Sequence, residues 1–180
     1  MRYVAFFRGI NVGGRNLLKM ESLRALLAAQ GLQNIHTYLQ SGNAVFESRE
    51  RDGQKIAGRI EAGIMDFLGA SIPVVLRTAD RLRQMVDSDP FRSQRNSADA
   101  KLYVSFLHST PPTRPKLPPI HLDGMMVIFA ATESEAFSVS TPSKGRYLFP
   151  NIVIEERFGV TAATRDWNTL TKLARKYLFT

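Results

Sequence analysis

A chain of 180 residues and 20.2 kDa with 44% apolar and 22% charged residues matches one globular domain or two small ones, and excludes a large multidomain machine. The absence of cysteine removes disulfides, thiolate zinc sites, iron–sulfur clusters and cysteine nucleophiles. Its 24 Lys and Arg against 16 Asp and Glu, a net charge of +8, favour anionic partners by long-range steering, but without a dense basic run they indicate no unstructured nucleic-acid tail.

Arg2 to Arg8 is short, aromatic and bounded by Gly9, Gly13 and Gly14, which predicts a strand followed by a glycine-bearing loop. Met20, Leu23, Leu26, Leu27 and Gln30 then follow helical spacing, with Glu21 at the positive end and Gly31 placed to stop the helix. Two strand-like runs, Ile35 to Leu39 and Ala44 to Glu47, flank Ser41, Gly42 and Asn43. Gly-Asn is a favoured centre for a two-residue hairpin. Asp52 is placed to cap a second helix whose stripe is Ile56, Ile60, Ile64, Phe67 and Leu68, ending at Gly69. Pro73 to Arg77 reads as the next strand. The resulting order, strand, helix, strand, strand, helix, strand, is that of a ferredoxin-like split βαβ.

Thr78 is placed to cap a short helix marked by Leu82, Met85 and Val86 and closed by Pro90. Further strands are predicted at Leu102 to Leu107, Met125 to Ala131 and Ala136 to Val139, with helices at Asn151 to Phe158 and Asp166 to Tyr177. The prolines of residues 109–119 suit an extended surface loop, in which a PxxP ligand could reside. The expected fold is therefore α+β, with a ferredoxin-like subdomain at residues 1–78 and a second α+β subdomain at residues 79–180.

Gly9 to Asn16 nearly spells a phosphate-binding P-loop, but Arg15 stands in place of the lysine and Asn16 in place of the magnesium-binding hydroxyl. It does not match the G-x-G-x-x-G fingerprint either. What survives is a loop that can turn tightly and expose backbone amides amid Arg8, Arg15 and Lys19, suited to phosphate or carboxylate, or simply serving a tight turn. In a split βαβ sheet the first and second strands are parallel, so Arg8, Asn11, Gln40, Ser41 and Asn43 should converge at one sheet edge. These groups suit recognition better than proton transfer.

His36, His108 and His121 show no ligand spacing, so no metal and no cofactor is expected. Ser41 lies in S-G-N rather than a nucleophile elbow. Asp87 and Asp89, and Glu155 and Glu156, read as solvated charges near helix ends. Leu102 to Leu107 loosely matches an RNA-recognition strand but lacks the basic-glycine-aromatic core. No segment approaches the roughly 20 apolar residues of a membrane span, and the start lacks the pattern of a signal peptide. A soluble cytoplasmic protein without a membrane partner is expected.

Three segments carry a resemblance: RGINVGG at Arg8 to Gly14, YLQSGNAVFES at Tyr38 to Ser48 and ATRDWNTLTKLA at Ala163 to Ala174. Together with MESLRALL and IEERFGV, they make the chain similar, over nearly its whole length, to the family catalogued as domain of unknown function 1697. The resemblance implies an α+β protein with a ferredoxin-like portion, commonly bacterial, and no established reaction, ligand or catalytic residue. Matching motif positions are Gly9, Asn11, Gly13, Gly14, Gln40, Gly42, Asn43, Thr164, Arg165, Trp167, Asn168 and Thr169, while Asp166 stands where the family's R-N-W-N-T has asparagine. Asp166 or Thr164 can cap a helix here, and Arg165 at a helix start opposes the dipole and calls for a carboxylate or a bound anion.

The leading functional expectation is a protein that binds a phosphorylated or carboxylated metabolite, nucleotide or nucleic acid through Arg8, Gly9, Asn11, Gly13, Gly14, Gln40, Ser41, Asn43, Arg165 and Asn168. The alternatives are an enzyme using bound water or an external metal, and a structural module. The sequence assigns no oligomeric state.

Overall fold

The computed structural model describes residues 1–95, 98–112, 120–122 and 124–179. Of the prolines of the expected loop at residues 109–119, Pro115, Pro118 and Pro119 lie outside the described residues, and with them the PxxP reading. The fold is α+β, with two antiparallel sheets and five helices among the described residues. The chain divides into two compact units, Met1–Arg83 and Gln84–Thr180. No helix of the described residues is long and apolar enough to cross a membrane.

The first unit holds β1 (Arg2–Phe7), α1 (Met20–Ala29), β2 (Gln33–Thr37), β3 (Asn43–Glu47), α2 (Gly53–Leu68) and β4 (Val74–Thr78). Its strand order is β2-β3-β1-β4 with every neighbouring pair antiparallel. Since β1 and β2 are each antiparallel to the β3 between them, they run parallel to one another, as a split βαβ requires. β1 lies between two partners and buries every residue from Tyr3 to Phe7. Tyr3, Ala5 and Phe7 share a core with Leu23 and Leu27 of α1 and with Ile56, Ile60 and Ile64 of α2.

Local chemistry sets α2. The Asp52 side chain accepts from the amides of Gln54 and Lys55 at 2.9 and 3.2 Å, a cap worth about 1 kcal/mol. Gly69 ends the helix at φ 66°, a conformation glycine adopts without steric cost. Phe67, expected in the apolar stripe, is exposed in the last turn.

The connection from β2 to β3 is wider than the expected two-residue hairpin. It runs from Tyr38 to Gly42, with Leu39 at φ 57° and Gly42 at φ 82°. Asn43 belongs to β3, and its amide donates to the Tyr38 carbonyl at 2.8 Å, tying the longer loop.

α3 (Ala79–Ser88) follows, and the Thr78 hydroxyl accepts from the Arg81 amide at 3.3 Å. The second unit then holds β5 (Lys101–Leu107), β6 (Ile120–Leu122), β7 (Met126–Ala131), β8 (Glu135–Ser140), α4 (Asn151–Phe158), β9 (Ala162–Asp166) and α5 (Trp167–Tyr177), in the sheet order β6-β7-β8-β5-β9. One buried cluster joins Leu107, Ile128 and Ala136 to Ile154 and Phe158 of α4. Another centres on the Phe91 ring, 5.4 Å from Phe129, 5.9 Å from Phe137 and 5.1 Å from Trp167.

β9, not foreseen in the sequence, forms an edge whose amides are occupied. Ala162 donates to the Glu155 carboxylate at 2.8 Å and Thr164 to the Asn151 side chain at 3.2 Å. Glu155 is thus a lock on a sheet edge and not merely a solvated charge, and such capping discourages pairing with another chain. Glu61 does the same for the Val74 amide at 2.7 Å in the first unit.

Candidate functional site

Two sets of expected site residues occupy the two units. In the first unit, Phe6 of β1 faces Asn43 of β3 in register, which sets the loop after β1 beside the connection before β3. Asn11 joins them. Its side-chain amide donates to the Gln40 and Leu18 carbonyls, each at 2.9 Å, and its oxygen accepts from the Leu18 amide at 2.8 Å. Its φ of 55° lies in the left-handed region that asparagine tolerates better than most residues. The Phe7 amide also donates to the Gly42 carbonyl at 3.0 Å. A methyl group on Gly42 would lie 2.7 Å from Ile10, so the two segments approach as closely as glycine permits.

The chemistry left for a ligand follows from these bonds. Both amide hydrogens of Asn11 are committed to backbone carbonyls, and those of the fully buried Asn43 go to Tyr38 and to the Ser41 hydroxyl, the latter at 3.3 Å. These two asparagines build the junction from within. Gly9, Gly13, Gly14, Gln40 and Ser41 are exposed and Arg8 half-buried. The Gly9 carbonyl accepts from the Asn16 side chain at 3.1 Å, and the Arg8 amide donates to the Pro73 carbonyl at 2.9 Å.

In the second unit, Arg165 lies within β9 opposite Val104 and not at a helix start. Asp166 takes the cap position of α5, accepting from the amides of Asn168 and Thr169 at 2.9 and 3.2 Å. The Arg165 guanidinium donates to the Thr164 carbonyl at 2.8 Å, and burial pulls its pKa down to about 10. A charge held away from water in this way is part of the interior.

Asn168, by contrast, is exposed in the first turn of α5 and lines a cavity of about 380 Å³ with Arg95, Lys101, Asp166, Thr171 and Arg175. That volume lies within the usual range for small-molecule sites. Asn168, Thr171 and Arg175 are spaced three and four residues apart, so they share one helix face. Arg95 holds Asp89 in a bidentate pair at 2.7 and 3.1 Å, and the Lys101 ammonium sits 3.9 Å from the centre of the Tyr147 ring. Nearby, burial raises the Tyr103 pKa, with the charges of Asp166 and Tyr147 adding to the shift.

The lining offers three cations, two polar side chains and one carboxylate that already accepts two backbone amides. Such a set can hold an anion. Sequence reading missed Arg95, Lys101 and Arg175. Arg175 was detectable from its helical spacing to Asn168, whereas Lys101, at the start of β5, joins the site only through tertiary folding. Among the described residues no group of three or more His, Asp or Glu is placed to hold a metal ion.

The family model described as "Protein of unknown function (DUF1697)" matches residues 1–121. The α5 wall of the cavity lies beyond that match. No curated protein matches the chain significantly. Among solved structures, that of the conserved bacterial protein SP0830 from Streptococcus pneumoniae is similar, with 20% identity, 97% of each chain covered and a TM-score of 0.63. At that identity the likeness is one of fold.

Proposed function

The chain belongs to the DUF1697 family, whose description states no activity, and we propose that it binds an anionic small molecule, phosphorylated or carboxylated, in the cavity beside α5. The observation that carries this reading is the cavity lining, where Arg95, Lys101 and Arg175 outnumber Asp166. Because Asp166 occupies the first amides of α5, the anion is held by side chains and not by the helix terminus. Lys101 and Arg175 supply the charge, while Asn168 and Thr171 supply hydrogen bonds. The overall charge of +8 speeds the encounter.

Calorimetric titration with pyrophosphate, ATP and citrate tests the proposal. Lys101→Ala or Arg175→Ala should weaken binding at least tenfold, about 1.4 kcal/mol, within the range for a hydrogen bond to a charged group. Arg49→Ala, on an exposed surface of the first unit, should leave it nearly unchanged. Equal weakening by all three, with a steep salt dependence and no preference among anions, would mean diffuse attraction and would sink the cavity site.

A further inference from the structure

The Asn11 junction presents a second, unrelated surface. Its amide ties together three segments, at Asn11 itself, Leu18 and Gln40. A residue adjacent to each of these carries an exposed aliphatic side chain: Val12 at 61%, Leu17 at 68% and Leu39 at 52%. Large apolar groups left in water on the three segments that one side chain ties together add little to folding, and exposed apolar surface of this kind marks interaction sites.

Backbone strain falls at the same place. Leu39 has a φ of 57°, a region that bulky side chains rarely occupy, and such strain concentrates at functional sites. The surface is also preformed, since Val12 and Arg15 close a β-bridge, Asn16 bonds the Gly9 carbonyl and Gly42 abuts Ile10. Charge is one-sided. From residue 8 to residue 24 the chain carries Arg8, Arg15, Lys19 and Arg24 against Glu21 alone. Arg15 and Lys19 are exposed and make no ion pair among the described residues.

We infer that this junction docks a segment of a protein partner that combines apolar and acidic side chains. The cations select an acidic segment by charge complementarity, and Val12, Leu17 and Leu39 supply the contact area. Single-stranded nucleic acid fits less well, because its bases stack on aromatic rings and these side chains are aliphatic. A bilayer fits less well too, since interfacial anchors are typically Trp and Tyr and a fluid surface needs no preformed loop. The inference is independent of the cavity, whose residues all lie in the other unit.

The test is panning of a displayed random dodecapeptide library against the full chain. Enriched peptides should join Asp or Glu to apolar residues, and should bind at least tenfold more weakly to Leu17→Ser and Arg15→Glu. Phe67→Ser, an exposed position on α2, should bind like the parent. Leu39→Gly should lose binding as well while its urea midpoint rises, because glycine relieves the left-handed strain. The inference is overturned if no peptide is enriched or if enriched peptides are neutral or basic. It is equally overturned if binding ignores these substitutions, or if the same residues instead govern sedimentation with phosphatidylserine vesicles or self-association of the chain.

Discussion

Replacing Gly42 by alanine tests whether the two loops of the first unit are locked together. The added methyl would meet Ile10 Cδ1 and Cγ1 at 2.7 Å and Phe7 Cβ at 2.9 Å, against an optimum of about 3.5–4.0 Å between carbons. Ile10 and Phe7 are both fully buried. The Ile10 tip can turn only into an occupied core, and Phe7 Cβ is fixed to the central strand. Overpacking of this kind costs about 1–3 kcal/mol, and the φ of 82° adds about 1–2 kcal/mol for a non-glycine residue. The expected loss is about 2–5 kcal/mol. Gly13→Ala isolates the backbone contribution, because Gly13 has φ 58° with nothing within 4 Å of the built carbon. It should cost about 1–2 kcal/mol. Urea unfolding followed by far-UV circular dichroism gives both values, provided the slope m is unchanged. Tryptophan fluorescence is the wrong probe, since the single tryptophan, Trp167, lies in the second unit. A Gly42→Ala loss within about 0.5 kcal/mol of the Gly13→Ala loss, below the additional overpacking cost, would refute the steric lock.

Arg165→Ala should lower stability by about 2–4 kcal/mol, through a buried void and a lost charged hydrogen bond. Its affinity for a cavity anion should stay within threefold of the parent, which calorimetry on the folded variant checks. Acid sensitivity should trace in part to Glu47, whose carboxyl is held below its ordinary 4.5 by the Asn34 amide first and then by Arg2. With the folded pKa depressed, the stabilisation is present above about pH 4.5 and is lost as pH falls through the lower folded value. Glu47→Gln should therefore lose less stability than the parent between about pH 5 and pH 3, as measured by urea midpoints at each pH.

Much of the architecture was legible because it depends on neighbours in sequence. Asp52, the Ile56, Ile60 and Ile64 stripe, and Gly69 delimit α2 by a cap, a period and a stop, all acting within a few residues. The helix expected at Asn151 to Phe158 formed over those residues, and the one expected from Asp166 to Tyr177 starts at Trp167 with Asp166 as its cap. The parallel relation of β1 and β2 follows from the order of elements, and with it the meeting of the Asn11 loop with the Gly42 segment. What local pattern does not carry is partnership. Ala162 to Asp166 has small and polar residues with no alternation, and it becomes a strand because β5 pairs with it while Glu155 and Asn151 occupy its outer amides. Arg165 looked like a helix-start charge until that strand drew it inside. Asn11 and Asn43 looked like ligand contacts, yet their amide hydrogens close on carbonyls and a hydroxyl that only the folded loops bring near. Lys101 and Arg175 meet at one cavity because a strand and a helix distant in sequence pack together. Helical period and capping are short-range energies written into consecutive residues, whereas register, burial of a charge and the walls of a cavity arise only when remote segments compete for the same space.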